Sequence, residues 1–198
     1  MDLETEMAGT KRQEIVEAAD MLFYQNGYEY TSFADIASAV NISRGNFYYH
    51  FKSKDDILTA VIARRFENTE SILEQWESAS DTPEERIRSF IHILIANKTK
   101  IKQFGCPVGT LTTELSKLEH PALPDANRLF GLFKSWLIVQ FEALGFQQES
   151  PTLAMHLLAR SQGVATLINA FKDDEFIEFE VAQMCDWLDE KIKSREIH

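Results

Sequence analysis

The chain has 198 residues, 44% hydrophobic content and a formal net charge of -11, enough to bury a sizeable core in one or two small domains. No run of about 18 uncharged apolar residues occurs, so no transmembrane helix is expected, and the acidic start MDLETEMAGT lacks the apolar centre of a secretory signal, which makes the cytoplasm the expected location. The two cysteines, Cys106 and Cys185, are too few and too far apart for a disulfide scaffold or a cysteine-rich zinc site.

In chain order, residues 1–9 read as a flexible tail. From Thr10 a first helix carries Ile15, Ala18, Ala19, Leu22 and Phe23 on one stripe. Lys11 and Arg12 stand at its start, to be read either as phosphate contacts or as two solvated charges, and Gly27 fits its C-terminal cap. Ser32 and Asp35 form a capping-box start for a second, short helix bearing Phe33, Ile36, Ala37 and Val40. Asn41 tolerates a left-handed turn. Ser43 caps a third helix that sends Phe47 and Phe51 inward. Arg44, Gly45, Asn46, Tyr48, Tyr49 and His50 are left for its outer side and ends. A helix, a tight turn and a stubby helix with a small, polar and aromatic face is the helix-turn-helix pattern for a DNA major groove.

Ser53 and Asp56 open a long fourth helix, free of Gly and Pro until past Ser80, which is long enough to leave a first domain and enter a second. Thr82-Pro83-Glu84-Glu85 marks a restart. Ile87, Phe90, Ile91, Leu94, Ile95 and Ile101 then read as one stripe, ended by Gln103–Gly109. Leu111, Leu115 and Leu118 give a short sixth helix, and His120–Pro124 a break. The stretch from Asp125 to Leu144 is apolar on more than one side and reads as central to its domain. Ser150-Pro151 opens an eighth helix, and Asp173-Asp174 turns the chain into a ninth. No strand alternation, Gly-rich loop or repeat appears, so the fold class is all-α, with about nine helices.

The charge is polarised. Ser43–Lys54 holds Arg44, Lys52 and Lys54 and no acid, while acids gather at Asp173-Asp174-Glu175, Asp186, Asp189 and Glu190. A local basic excess is enough for a nucleic-acid face.

Gly27-Tyr28, Thr31-Ser32, Asp35-Ile36-Ala37, Ile42-Ser43, Gly45, Phe47-Tyr48-Tyr49-His50-Phe51, Lys52-Ser53-Lys54 and Leu58 together resemble the N-terminal signature of the TetR family of bacterial transcriptional regulators. The resemblance covers roughly the first third of the chain. It implies a three-helix DNA-binding domain over residues 10–55 and a helical ligand-binding and dimerisation domain over residues 56–198. It also implies that Thr31, Ser32, Ser43, Arg44, Gly45, Asn46, Tyr48, Tyr49, His50 and Lys54 contact a double-stranded DNA operator. Chemistry divides that labour. Tyrosine hydroxyls, His50, Lys54 and capped helix N-termini suit phosphates. Arg44 suits guanine, Asn46 suits adenine, and Gly45 lets backbone approach a base. His50 lacks a neighbouring nucleophile or carboxylate in the motif, so general-base chemistry does not fit it.

The family holds a small-molecule inducer in its C-terminal domain. The residues expected to line such a pocket are Phe66, Phe90, Leu94, Cys106, Phe133, Trp136, Leu137, Ser161 and Gln162, with Phe141, His92 and Asn97 nearby; ordinary core packing is the alternative for each. Gly105-Cys106-Pro107-Val108-Gly109 is similar to a segment of one TetR subgroup that includes multidrug-type repressors and a repressor that senses electrophiles through cysteine. A thiol beside a helix N-terminus can be reactive; a small buried hydrophobe is the competing reading of Cys106. The family forms homodimers through its last two helices. Leu158, Ala165, Ile168, Phe171, Met184, Trp187 and Leu188 are the expected interface, with several of them open to assignment to their own subunit's core.

No metal set, cofactor loop or nucleophile elbow is present, and an enzyme is not expected. A DNA-binding regulator, expected to be a ligand-released repressor, is the reading the residues support. A ligand-binding or interaction module of the same fold without operator binding is the alternative.

Overall fold

A computed structural model describes residues 3–196. Among them are ten α-helices and no strand: α1 (Leu3–Asn26), α2 (Phe33–Ala39), α3 (Arg44–His50), α4 (Lys54–Ala79), α5 (Pro83–Ala96), α6 (Lys98–Phe104), α7 (Pro107–Lys117), α8 (Leu123–Ala143), α9 (Ser150–Phe171) and α10 (Asp174–Glu196). The all-α architecture is as expected. Two boundaries differ. The helix expected from Thr10 begins at Leu3, because Leu, Glu, Met and Ala in this stretch are good helix formers and its acids suit a helix N-terminus; residues 1 and 2 of the expected tail lie outside the described residues. The stripe from Ile87 to Ile101 is divided at Asn97, which ends α5 and begins α6.

The chain folds into two units. Unit 1 comprises residues 1–67 and 110–128, and unit 2 comprises residues 68–109 and 129–198. A single cut at residue 55 therefore does not describe the division. The start of α4, most of α7 and the start of α8 belong with the first three helices, because Leu111, Leu115 and Ala126 are buried in the same core as Ile15, Phe23, Ile36, Phe47 and Leu58. Burying apolar side chains, at roughly 25 cal/mol per Å², is what holds so short a set of helices together.

Local chemistry fixes the turns of unit 1. Ser32 and Asp35 close a full capping box at α2. Asn41 adopts a left-handed φ of 52°, as its side chain permits. Ser43 caps α3 through the Asn46 N–H. Ser53 and Asp56 exchange bonds of 3.0 Å each across the start of α4.

In unit 2, α5 packs on α10 and α9, and α6 packs on α9. Thr82 caps α5, with Pro83 in its first turn. The core is built from Ile87, Ile91, Leu94, Leu137, Phe141, Leu157, Ile168 and Leu188. The acids at the start of α10 are not merely solvated. Asp173 accepts the Glu175 N–H at 2.9 Å, Asp174 pairs with Lys102 at 3.0 Å, and Glu178 pairs with Lys98 at 3.0 Å.

Candidate nucleic-acid interface

Helix α3 is held from beneath by Phe47, 1% exposed, and Phe51, 2% exposed. Phe33 of α2 meets Phe47 edge-on at 5.1 Å and Tyr48 at 5.5 Å. With the inward side thus fixed, Gly45, Asn46, Tyr48 and Tyr49 face outward; Tyr48 is 38% exposed and Tyr49 72%. His50 is half-buried, its ring edge-on to Tyr49 at 5.2 Å. Nothing stands within 4 Å of where a Gly45 side chain would begin. The Arg44 side chain lies outside the described residues. Arg12 of α1 comes to 4.8 Å over the Phe51 ring.

The acids closest to α3 in sequence are occupied. Asp35 takes the Ser32 N–H at 2.8 Å and the Ser32 hydroxyl at 2.6 Å. Those bonds, the hydroxyl's first, hold its carboxyl below the usual aspartate range. Asp56 accepts the N–H groups of Lys52 and Ser53 at 3.1 and 3.0 Å. Asp55 accepts the Tyr28 hydroxyl and lies 3.5 Å from His120.

Two expected contacts are placed differently. Thr31 is 1% exposed, and its hydroxyl donates to Gly27 O at 2.7 Å, so its side chain serves the loop between α1 and α2 and presents nothing to a ligand. Lys54 is half-buried. Its ammonium donates to Tyr28 O at 2.9 Å and Glu29 O at 3.2 Å, and sits 4.3 Å from the Tyr28 ring centre. Ser32 and Ser43 are exposed but engaged as caps. Tyr30, 86% exposed on that same loop, was not singled out by sequence pattern; an aromatic one residue before a buried threonine carries no periodic signal.

Comparisons with known proteins bear on this face directly. Residues 15–61 match the family model for bacterial regulatory proteins of the tetR family. An uncharacterised HTH-type transcriptional regulator in the lacX 3' region of Lactococcus lactis subsp. lactis is 28% identical over 171 residues, spanning 84% of this chain and 87% of that protein. The HTH-type transcriptional repressor DhaR of Mycobacterium sp. (strain GP1) is 29% identical over 120 residues, spanning 60% of this chain and 59% of its own length. A TetR transcriptional regulator from Legionella pneumophila, solved as a crystal structure, superposes with a TM-score of 0.77 at 25% identity, spanning 90% of this chain and 95% of that one. The chain is similar to TetR-family regulators, and the family model falls on its helix-turn-helix. TetR-family proteins are DNA-binding transcriptional regulators, and the matched stretch contains α2 and α3.

Of the residues expected to line a TetR-type ligand pocket, Phe90, Leu94, Trp136 and Leu137 share one apolar cluster of unit 2, with Cys106 and Phe133 packed against it. Phe66 belongs to unit 1 and lies under Arg128, 5.0 Å away. Phe90 and Phe133 meet at 5.7 Å, Trp76 and Trp136 at 5.6 Å, and the Trp136 ring N–H donates to Glu77 at 2.8 Å. Leu94 and Leu137 are sealed in the unit 2 core, and Ser161 is buried. Cys106 Sγ accepts the Gly109 N–H and the Gln162 amide, each at 3.4 Å; a side chain at Gly109 would collide with Gln162. His92 and Asn97 donate to carbonyls one turn back, Arg88 O and Ile93 O. Two surface clefts of unit 2, about 320 and 430 Å³, are lined by Ala79, Ser80, Glu85, Arg88, Ser89 and His92 and by Lys98, Thr99, Lys102, Gln103, Lys172 and Asp174. The first includes His92, and neither includes any other residue of the expected lining. Burial pushes the Cys185 thiol up, away from reactive thiolate.

The expected dimer residues need a larger correction. Leu158, Ala165, Ile168, Met184 and Leu188 are buried in their own unit, Trp187 is partly buried against Phe141 and His156, and only Phe171 is open, at 73%. They mark the sides of α9 and α10 that face the subunit's own core. The exposed side of α9 instead carries Met155, Ala159, Gly163, Leu167, Ala170 and Phe171. The sequence signal for it is that α9 has one arginine and no lysine or acid in 22 residues. Among the described residues, no helix is long and apolar enough to cross a membrane and no group of three or more His, Cys, Asp or Glu is placed to hold a metal.

The Tyr28 hydroxyl bond, with a smaller contribution from His120, lowers the Asp55 carboxyl below its ordinary value, and burial with Asp55 raises the Tyr28 hydroxyl. A carboxyl with a lowered folded value stabilises the fold above the unfolded aspartate range, about pH 4, and loses that contribution as pH falls through the lowered value. Asp55→Asn is therefore expected to be less stable than the parent in urea at neutral pH and to lose less stability between about pH 4 and pH 2. Parallel curves for the two proteins would refute the role of this pair.

Proposed function

We propose that the protein is an operator-binding repressor that acts as a homodimer and releases its DNA when a small hydrophobic molecule binds unit 2. The observation that carries the DNA reading is the outer side of α3. Gly45, Asn46, Tyr48 and Tyr49 stand exposed on a helix pinned by two buried phenylalanines, with the acids closest to it in sequence held in cap and hydroxyl bonds. Asn46 suits the adenine edge, Arg44 suits guanine, and Tyr48, Tyr49 and His50 suit phosphates. DhaR, one of the relatives, is named a repressor, which favours repression over activation. Two copies would set their α3 helices in successive major grooves of a palindromic operator in the cytoplasm, about 34–36 Å apart.

The second copy docks on the exposed side of α9. Met155, Ala159, Gly163, Leu167, Ala170 and Phe171 follow helical spacing with Arg160 as the one charge among them, on a chain of net charge -11. Arg160 is drawn aside to Glu180 at 3.1 Å. So long an uncharged exposed face on one helix is suited to a two-fold seam. The inducer sits against the aromatic side of unit 2 formed by Phe90, Phe133 and Trp136, and its preference for the non-binding state need be only about 1–3 kcal/mol. Cys106, in a segment similar to that of the cysteine-sensing TetR subgroup, is the residue through which an oxidant or electrophile acts.

Four measurements test this. Fluorescence anisotropy on the duplex that the protein selects from a random library should fall steeply with salt. Asn46→Ala should cost about 1–3 kcal/mol and relax the preference at one base position; unchanged preference at every position contradicts the base-reading role. Leu167→Arg should sediment as a folded monomer and lose the selected duplex, whereas an intact dimer contradicts the α9 seam. A thiol-reactive compound should release the parent from DNA and leave Cys106→Ser bound. Equal release of both contradicts the cysteine-sensing role.

A further inference from the structure

The loop between α1 and α2 is gripped by two side chains from elsewhere in unit 1. Glu114, on α7, accepts the Tyr28 N–H with one carboxylate oxygen and the Glu29 N–H with the other, each at 2.9 Å. Lys54, at the start of α4, takes the two carbonyls of the same residues at 2.9 and 3.2 Å. All four backbone polar groups of Tyr28 and Glu29 are thereby bonded to a carboxylate or an ammonium. Bonds of this kind to a charged partner are about twice as strong as neutral ones.

The approach of Glu114 is built into the backbone. Gly27 has φ of +89°, and a side chain there would meet the Glu114 carboxylate at 2.9 Å. Three residues beyond Glu29 is Ser32, the cap of α2, and the next residue, Phe33, touches both Phe47 and Tyr48 of α3. A chain of direct contacts thus runs from Glu114 through the Tyr28–Glu29 loop and Phe33 to the exposed side of α3.

We propose that Glu114 is a positioning residue for DNA recognition: its carboxylate sets the loop between α1 and α2, and through it the placement of α3 in the groove. The inference rests on the operator-binding reading. It goes beyond it by assigning a role in DNA recognition to a residue of α7, far from the helix-turn-helix in sequence. The helix that carries Glu114 also buries Leu111 and Leu115 in the core that holds Phe47, so the carboxylate is carried on an element packed into unit 1. Lys54 has the matching role on the carbonyl side, which accounts for its half-buried place and its inward bonds.

The test uses opposite signs. Removing a negative charge from an acidic DNA-binding protein should, by charge alone, strengthen binding to any duplex. Loss of positioning should weaken binding to the selected duplex. The full-length parent, Glu114→Gln and Glu114→Asp are compared by anisotropy on the library-selected duplex and on a scrambled duplex of equal length, across a salt series. Amide exchange of Tyr28 and Glu29 and thermal unfolding are followed in parallel. Glu114→Gln keeps one acceptor and loses the charge; Glu114→Asp keeps the charge and loses reach.

The expected result is that Glu114→Gln binds the selected duplex about tenfold more weakly, with the salt slope of the parent and with faster exchange at Tyr28 and Glu29. Its binding to the scrambled duplex is equal to the parent's or stronger, and Glu114→Asp falls between. A folded Glu114→Gln that binds the selected duplex as well as the parent, with faster exchange, overturns the positioning role. So does a variant whose affinity for both duplexes falls in the same proportion as its folded fraction. A parent that does not distinguish the selected from the scrambled duplex overturns the operator reading itself and the positioning role with it.

Discussion

A seven-residue helix does not hold its shape alone in water, because nucleation costs more than so few hydrogen bonds return. The placement of α3, the helix proposed to meet DNA, therefore depends on the burial of Phe47 and Phe51 beneath it. These two rings fix which side of the helix faces inward. The other side is then free to be small at Gly45, polar at Asn46 and aromatic at Tyr48 and Tyr49. That outer side is a consequence of core packing in unit 1, and its chemistry is a set of side chains the core does not require.

That core reaches further along the chain than the helix-turn-helix does. Leu111, Leu115 and Ala126 are buried with Ile36 and Phe47, and the polar groups around Tyr28 draw in Lys54, Asp55, Glu114 and His120. Unit 1 is thus held by an apolar centre and by a charged grip on one loop. The apolar part is nonspecific in direction. The grip is directional, and it is the part able to set an angle.

Much of unit 1 is legible in the sequence because its information is local. Capping boxes at Ser32 and Ser53, the left-handed Asn41 and the inward Phe47 each depend on neighbours within four residues. The role of Glu114 is not legible, since its partners lie 86 and 85 residues away. Thr31 and Lys54 read as DNA contacts by resemblance, but their hydrogen bonds turn toward the loop that precedes α2. In unit 2, apolar spacing finds the helices and not the neighbour each side meets. Leu158, Ile168 and Met184 face their own core, and the uncharged outer side of α9 is the one left open. The same ambiguity admits Phe66 to the expected pocket. Phe66 and Phe90 look alike as apolar positions, yet they belong to different units.

The central claim is that the outward side of α3 is the surface that meets duplex DNA. Backbone amide shifts recorded while the library-selected duplex is titrated into the labelled protein test it most directly. The account predicts that the largest changes fall on Gly45, Asn46, Tyr48 and Tyr49, with smaller ones along the Tyr28–Glu29 loop. Changes confined to α9, α10 or the unit 2 clefts, with α3 unmoved, would contradict it.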